Sequence, residues 1–325
     1  MRNIFLVTFR SKKYGEGHFV RLNRIAKSLQ KNNKLYLVVN NPLRIDQLSR
    51  KIYKKIFDVS DNEHLNFIKK NLSKNDLIWF DLPEEKNSIK SMYVSLSANL
   101  IAINMFGAKQ NALEKLSFFP KYDETRRVIK NGTTEISGTK CLILPSDLFN
   151  SKIKKEKQII VSMGGGDPME FTTMLLPMLL NLNVSGYKIK IILPRHLTRH
   201  DFKNFDYGNI SLFEFGMSNF CKELKKSSLA IINGGMTRYE CVAAKTPFIA
   251  LSIHEKQFEI SAQVTKFGLG FNFGVLTPQK LNSLKKYIEK NYIWADYPRD
   301  DTYPMIKSGS SDWMYRSALD ELGIE

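Results

Sequence analysis

Paired cysteines, long apolar runs and the usual metal-ligand spacings are all missing from this chain. Its three cysteines, Cys141, Cys221 and Cys241, are odd in number and show no paired metal-type spacing. That argues against a disulfide scaffold and a zinc site, and for reduced thiols in the cytoplasm. No apolar run is long enough to span a bilayer. The opening stretch Met1-Arg2-Asn3-Ile4-Phe5-Leu6-Val7 is too short for a signal peptide and reads as a first strand. No two aspartates are separated by one residue, so the Asp-x-Asp metal clamp is absent. Gly-x-Ser-x-Gly, the serine-hydrolase elbow, is absent as well. His196 and His200 stand four apart but lack the glutamate of a zinc-protease helix, which leaves them as surface histidines.

What is present is basic and globular. Lysine and arginine number 49 against 32 acidic residues, a net charge of +17, with 43% hydrophobic residues in 325. That length suits two domains better than one core. The clusters Arg50–Lys55, Lys152–Lys155 and Lys222–Lys226 are interrupted by Ile, Leu and Tyr at amphipathic spacing, as in ordinary helix faces. No nucleic-acid-binding signature accompanies them. Contact with an anionic membrane surface stays open as a use for the charge.

Apolar, β-branched runs alternate with amphipathic ones. Strands are expected at Ile4–Phe9, Lys34–Val39, Asp76–Phe80, Leu100–Asn104 and Lys140–Leu144. After a lysine-rich linker they resume at Gln158–Met163, Tyr187–Leu193, Asn209–Phe213, Leu229–Ile232 and Pro247–Ser252. Helices are expected at Phe19–Leu29, Glu63–Leu72, Glu170–Leu180, Asn219–Lys225, Met236–Ala244, Lys256–Phe267 and Gln279–Asn291. Such alternation predicts an α/β protein with parallel sheets covered by helices.

Three glycine turns fall between strand and helix. Gly15-Glu16-Gly17-His18 comes first; there Gly15 and Gly17 allow a close backbone approach. His18 sits in the first helical turn, where the dipole keeps imidazole neutral and able to accept a proton. Arg21 lies one turn on, placed for a phosphate or carboxylate. The second turn, Gly164-Gly165-Gly166-Asp167-Pro168, predicts an N-cap at Asp167 and a capping box with Glu170, with glycines to spare for a ligand. It fits neither the Walker A nor the dinucleotide spacing. In the third, Gly234 and Gly235 are expected to offer free N–H groups to an anion, with Met236 beside them and the Thr237 hydroxyl to add. Glu240 is suited to ribose hydroxyls and Gln257 to sugar hydroxyls. Two glycine turns in two α/β halves suggest a ligand held in a cleft between domains.

In their order and spacing these segments resemble the GT-B-type family that contains the pseudaminic-acid pathway UDP-sugar hydrolase and the spore-coat polysaccharide glycosyltransferases. The opening Gly15-Glu16-Gly17-His18-Phe19-Val20-Arg21, the segment Gly138–Leu144, Ser162–Pro168 and Gly309-Ser310-Ser311-Asp312 carry the likeness. Gly234 to Glu240, with Gln257, is similar to the nucleotide-sugar site of the lipid-linked peptidoglycan N-acetylglucosaminyltransferase. The resemblance implies two Rossmann-like domains facing a cleft: residues 1–149 on the acceptor side, 156–312 holding the nucleotide-sugar, and 313–325 as a closing helix. It implies a reaction at an anomeric carbon without metal or other cofactor. His18 would be the base, Arg21 and the glycine turns would hold the diphosphate, and Glu240 the ribose. The donor would be a nucleotide-diphosphate sugar and the acceptor a glycan or a lipid-linked sugar. Asp81-Leu82-Pro83-Glu84-Glu85 lacks the tyrosine that the family's hydrolases carry there, which sets hydrolysis behind transfer.

Overall fold

The computed structural model describes residues 2–11, 15–41, 45–95, 99–110, 112–149, 153–203, 208–214, 220–265, 268, 270–292 and 306–324. The chain divides into two compact units, residues 1–144 with 306–325, and residues 145–305. Asn219, Phe267 and the linker residues 151 and 152 lie outside the described residues.

The first unit begins with β1 (Arg2–Thr8), α1 (Gly17–Leu29), β2 (Asn33–Val39), α2 (Gln47–Arg50), β3 (Lys55–Asp58) and α3 (His64–Asn71). It continues through β4 (Leu77–Asp81), α4 (Ser88–Val94), β5 (Asn99–Ile103), β6 (Leu116–Pro120), β7 (Arg126–Lys130) and β8 (Thr133–Gly138). The strands form one sheet in the order β3-β2-β1-β4-β5-β6-β8-β7. Because successive side chains point to opposite faces, Ile4, Leu6, Leu77 and Trp79 pack on the α1 side. Phe5, Val7, Ile78 and Phe80 pack on the other. With both faces covered, the strands read as unbroken apolar runs.

The sheet is not wholly parallel. β7 runs antiparallel to β8, and Lys130 pairs with Thr133 across the two-residue turn Asn131-Gly132. Both turn residues have positive φ, +47° and +83°, as a type I′ hairpin requires. The expected strand Lys140–Leu144 is replaced by a 3₁₀ turn at Thr139–Cys141. Gly138, at φ +132°, turns the chain out of the sheet there, and Leu142 and Ile143 are buried as packing residues instead.

The second unit comprises β9 (Glu156–Ser162), α5 (Phe171–Leu180), β10 (Lys188–Ile192), β11 (Ile210–Phe213), α6 (Phe220–Lys226) and β12 (Ser227–Asn233). α7 (Thr237–Ala243), β13 (Phe248–Ser252), α8 (Glu255–Thr265), β14 (Phe271–Val275) and α9 (Leu281–Asn291) complete it. Its sheet, β11-β10-β9-β12-β13-β14, is parallel throughout. The final helix α10 (Ser310–Leu322) returns to the first unit. There Met314 and Ala318 join the α1-side core, and Tyr315 Oη donates to Asn33 Oδ1 at 3.0 Å. Among the described residues no helix is long and apolar enough to cross a membrane.

Both sheets reverse their winding direction beside their first strand. The chain passes from β1 to β2 and β3 on one side, then returns to β4 on the other; β9 and β12 stand in the same relation. Ligands of such sheets bind beyond the strand carboxyl ends at these switch points.

Two glycines with positive φ separate two costs. Nothing lies near a Cβ placed on Gly132, so Gly132→Ala should lose only the left-handed backbone preference, about 1–2 kcal/mol. A Cβ on Gly138 would lie 2.5 Å from the Thr125 Cα and 2.6 Å from the Glu124 carbonyl oxygen, both backbone. Urea unfolding should therefore show Gly138→Ala to be clearly the more destabilised variant. Equal losses would mean that the chain around Thr125 gives way easily.

Candidate functional site

At the β1/β4 switch point, a charged side chain ends a strand that is otherwise apolar and wholly buried. Asp81, the last residue of β4, has no exposed surface. Its Oδ2 accepts from Arg21 Nε at 2.7 Å, and its Oδ1 from Arg21 Nη2 at 2.7 Å, a bidentate pair. The His18 Nδ1 lies 2.6 Å from the same Oδ1. Burial alone would push the Asp81 carboxyl up; the Arg21 guanidinium and the His18 ring outweigh it and hold it below its ordinary value. An ionised carboxylate at that distance accepts a hydrogen bond from Nδ1–H. The 3.0 Å approach of Arg21 Nη2 to Nδ1 is then two donors sharing one acceptor, not a bond between them. That tautomer leaves Nε2 as the basic nitrogen of His18, whose side chain keeps 18% of its surface open.

The turn leading into His18 is fastened separately. Gly15 N–H donates to the Ser11 carbonyl at 2.8 Å, so it is not a free anion donor. Glu16 Oε2 accepts from Arg10 Nε at 2.9 Å and Nη2 at 2.8 Å, and the Arg10 guanidinium lies 4.7 Å over the Phe19 ring. Gly17 opens α1, and a Cβ there would touch Arg21 Nη1 at 3.4 Å. Arg21 itself is 5% exposed and committed to Asp81, so of the two partners for which the sequence places it, phosphate or carboxylate, the fold supplies a carboxylate, and the diphosphate contact that the family resemblance implies gives way to it.

The second unit assembles its glycine turns at the β9/β12 switch point. Asn233, ending β12, donates from Nδ2 to the Met163 carbonyl at 2.7 Å and accepts the Gly235 N–H on Oδ1 at 3.1 Å. It thereby ties the Gly164-Gly165-Gly166 turn to the Gly234-Gly235 turn. Gly164 has φ +83°, with Asn233 Nδ2 3.0 Å from where its Cβ would be, and the Gly165 carbonyl accepts Arg195 N–H at 3.0 Å. Gly166 is half-buried beside them. The Gly234 N–H donates to the Leu251 carbonyl at 3.0 Å. Neither Gly234 nor Gly235 therefore offers the free N–H that the sequence predicts. Gly234 is required by proximity: its Cβ would stand 2.7 Å from Gln257 Cγ and Ser261 Oγ of α8. Gln257 reaches this turn, with Oε1 accepting Ile253 N–H at 2.7 Å.

The predicted capping box is also corrected. α5 starts at Phe171, not at Pro168, because Asp167 and Glu170 both adopt positive φ, +37° and +54°. Asp167 still caps the helix from a distance, accepting Phe171 N–H at 2.9 Å and Thr172 N–H at 2.8 Å. Met236 and Thr237, both half-buried, lead into α7, and Glu240 is buried on that helix at 6% exposure.

Two residues carry the sites without having been singled out from sequence. Asp81 was legible as a lone acid closing a run of apolar strand residues. Arg238 was legible as a cation in a first helical turn, where the dipole disfavours it unless something specific holds it. It is 2% exposed and donates from Nη1 to the Gly234 and Gly235 carbonyls, the latter at 2.8 Å, and from Nη2 to Tyr239 Oη at 3.0 Å. Among the described residues no group of three His, Cys, Asp or Glu side chains comes together as a metal site.

No protein-family model matches the chain. An uncharacterized protein of Methanocaldococcus jannaschii is 25% identical over 287 residues, 79% of this chain, and the chain spans only 57% of that relative's length. Among solved structures, S. aureus MnaA in complex with UDP is similar over 100% of this chain and 98% of its own, with TM-score 0.64 and 14% identity. The UDP-GlcNAc 2-epimerase of M. jannaschii, in complex with UDP-GlcNAc and UDP, aligns over 98% of this chain and 99% of its own at TM-score 0.63 and 13% identity. MurG of Acinetobacter baumannii aligns over 98% and 100%, at TM-score 0.60 and 12% identity. These likenesses establish the fold class, two α/β domains of GT-B type.

The Asp81 cluster predicts a reversal in acid response. In the native chain the ionised carboxylate contributes stability above its unfolded pKa, near the ordinary 3.8, and that contribution is lost as pH falls through the lower folded value. Arg21→Met removes the bidentate partner and should cost about 3–5 kcal/mol at neutral pH, because the buried charge keeps only its His18 hydrogen bond. Burial then prevails and Asp81 titrates high, so lowering the pH from about 7 to 5 should restore part of the variant's stability. Denaturant melts at both pH values test this; a variant that weakens further in acid would contradict it.

Proposed function

We propose that the chain is an enzyme acting on a nucleotide-diphosphate sugar: an inverting glycosyltransferase that passes the sugar, from a UDP-linked donor, to a hydroxyl of a glycan or lipid-linked acceptor. The observation that carries this reading is the Asp81–His18 pair at the β1/β4 switch point, 2.6 Å apart. His18 Nε2 takes the acceptor proton as the new bond to the anomeric carbon forms and the bond to the leaving diphosphate breaks. The Asp81 carboxylate stabilises the imidazolium so produced, and its bond to Nδ1–H keeps the ring in the required tautomer. In the second unit the turns joined by Asn233 would receive the nucleotide, with Glu240 on the ribose and Gln257 on the sugar. The fold class supports the substrate class, since S. aureus MnaA is described with UDP and the M. jannaschii epimerase with UDP-GlcNAc and UDP.

The same base could activate water, giving a UDP-sugar hydrolase. Similarity to UDP-GlcNAc 2-epimerases favours a third outcome, an altered sugar still joined to UDP. Product analysis by NMR on UDP-GlcNAc separates the three: UDP released only with acceptor for transfer, UDP released in buffer alone for hydrolysis, and an isomeric UDP-sugar for epimerisation.

Two measurements test the shared core of these readings. A thermal-shift screen of UDP, CMP, GDP, dTDP and NAD should show stabilisation by UDP, since a ligand that binds only the native state raises its apparent stability. His18→Ala and Asp81→Asn should lower kcat by about 10²–10⁴ with UDP affinity nearly unchanged, whereas Glu240→Ala should weaken UDP binding. Full turnover in His18→Ala would remove the base from the mechanism.

A further inference from the structure

We propose a second ligand site on the first unit, for a nucleoside phosphate, at the β1–β2–β3 edge of the sheet beside α3. It goes beyond the function proposed above and does not depend on it. A half-open cavity of about 360 Å³ lies there, walled by Phe5, Tyr36 and Phe57 and by Lys54, Lys55 and Lys70. That volume falls in the range of small-molecule sites, about 300–1,000 Å³.

The register builds the aromatic wall. Phe5 pairs with Tyr36, and Tyr36 with Lys55, so these three stand in one row across β1, β2 and β3. Phe57 follows two residues after Lys55, on the same face. The rings of Phe5 and Tyr36 stack at 4.7 Å and 14°, and Phe57 lies 6.4 Å from Tyr36. Phe5 is 2% exposed and backs the wall from within the core, while the half-buried Tyr36 and Phe57 offer a planar ring a rigid apolar surface.

The charge is what distinguishes this cavity from a packing gap. A minority of the described lysines have carboxylate partners, as Lys90 has Glu114, Lys130 has Glu135 and Lys285 has Glu289; here three without one line a single opening. Among the described residues no carboxylate pairs with Lys54, Lys55 or Lys70. Two of these ammonium groups rest over the aromatic wall instead, Lys55 Nζ 4.6 Å from the Phe57 centroid and Lys54 Nζ 6.0 Å from that of Tyr36. Flexible stems let them swing to phosphate oxygens, for which compact ammonium charges are suited. A flat apolar surface flanked by three cations matches a base joined to phosphate. The cavity draws on the first residue of β3 and the middle of β1, whereas His18 and Asp81 lie at the carboxyl ends of the strands.

The test is fluorescence anisotropy of N-methylanthraniloyl-ADP on the full chain. The wild type, Lys55→Glu/Lys70→Glu and Glu240→Ala are compared, with adenosine and inorganic pyrophosphate as competitors. The expected result is binding that weakens about tenfold or more in the double-lysine variant, persists in Glu240→Ala, and is displaced far better by ADP than by either competitor. Lys70→Glu alone, on the exposed side of α3, gives the same direction should the double variant fail to fold. Unchanged affinity in the lysine variants, or no binding to the wild type, overturns the site. Pyrophosphate competing as well as ADP reduces it to an anion patch and also overturns it. Loss only in Glu240→Ala would move the nucleotide to the second unit, overturning this site while supporting the function proposed above.

Discussion

A carboxylate without any exposed surface is the constraint on which the first unit turns. Asp81 closes β4, where burial alone would favour the neutral acid. It stays ionised because Arg21 grips both oxygens and His18 donates to one of them. Both partners come from α1, so the pairing fixes how that helix crosses the sheet as well as the charge. A buried ion pair contributes little net stability, yet breaking one is costly. Its main effect here is geometric: it presents His18 in one orientation and one tautomer.

The second unit reaches a comparable rigidity by other means. Its glycine turns are joined through a neutral amide, Asn233, and backed by a cation, Arg238, that draws the Gly234 and Gly235 carbonyls toward itself. The turn N–H groups are taken up within the protein, by Leu251 and Asn233. Glycine at 234 answers to α8, whose Gln257 and Ser261 side chains stand 2.7 Å from where a Cβ would lie. A glycine-rich turn after a strand thus need not be a set of free donors; close packing asks for the same residue.

Much of the fold was legible, because long apolar runs and amphipathic periods are local signals. The strands at β1, β2, β4, β5 and β9 to β13, and the helices α1, α3, α5 to α9, fall where periodicity puts them, give or take a few residues. The strands β3, β6, β7, β8 and β14 did not stand out, since polar residues or glycine interrupt most of them, as in Arg126–Lys130, Thr133–Gly138 and Phe271–Val275, and leave no apolar run to compete with a loop. Asn131-Gly132 was the one strong hairpin signal in that region, and it marks the antiparallel edge that a purely alternating reading passes over. Within the sites, His18, Gly234 and Gln257 could be picked out from their positions in strand–turn–helix junctions. Asp81 and Arg238 could not be ranked by the same means, because each gains its role from partners on other elements: Asp81 from residues 60 and 63 positions away, and Arg238 from backbone carbonyls.

The sequence by itself determined the α/β alternation, the two halves and the junctions at which glycines must lie, since each depends on backbone geometry within a few residues. Only the tertiary structure decided which groups are spent and which remain. Whether Arg21 faces an anion or holds Asp81, and whether a glycine N–H points outward or into a neighbouring carbonyl, depends on strands brought together by the sheet order. Hydrogen bonds and ion pairs act over a few ångströms, and the chain places those few ångströms between residues far apart along it.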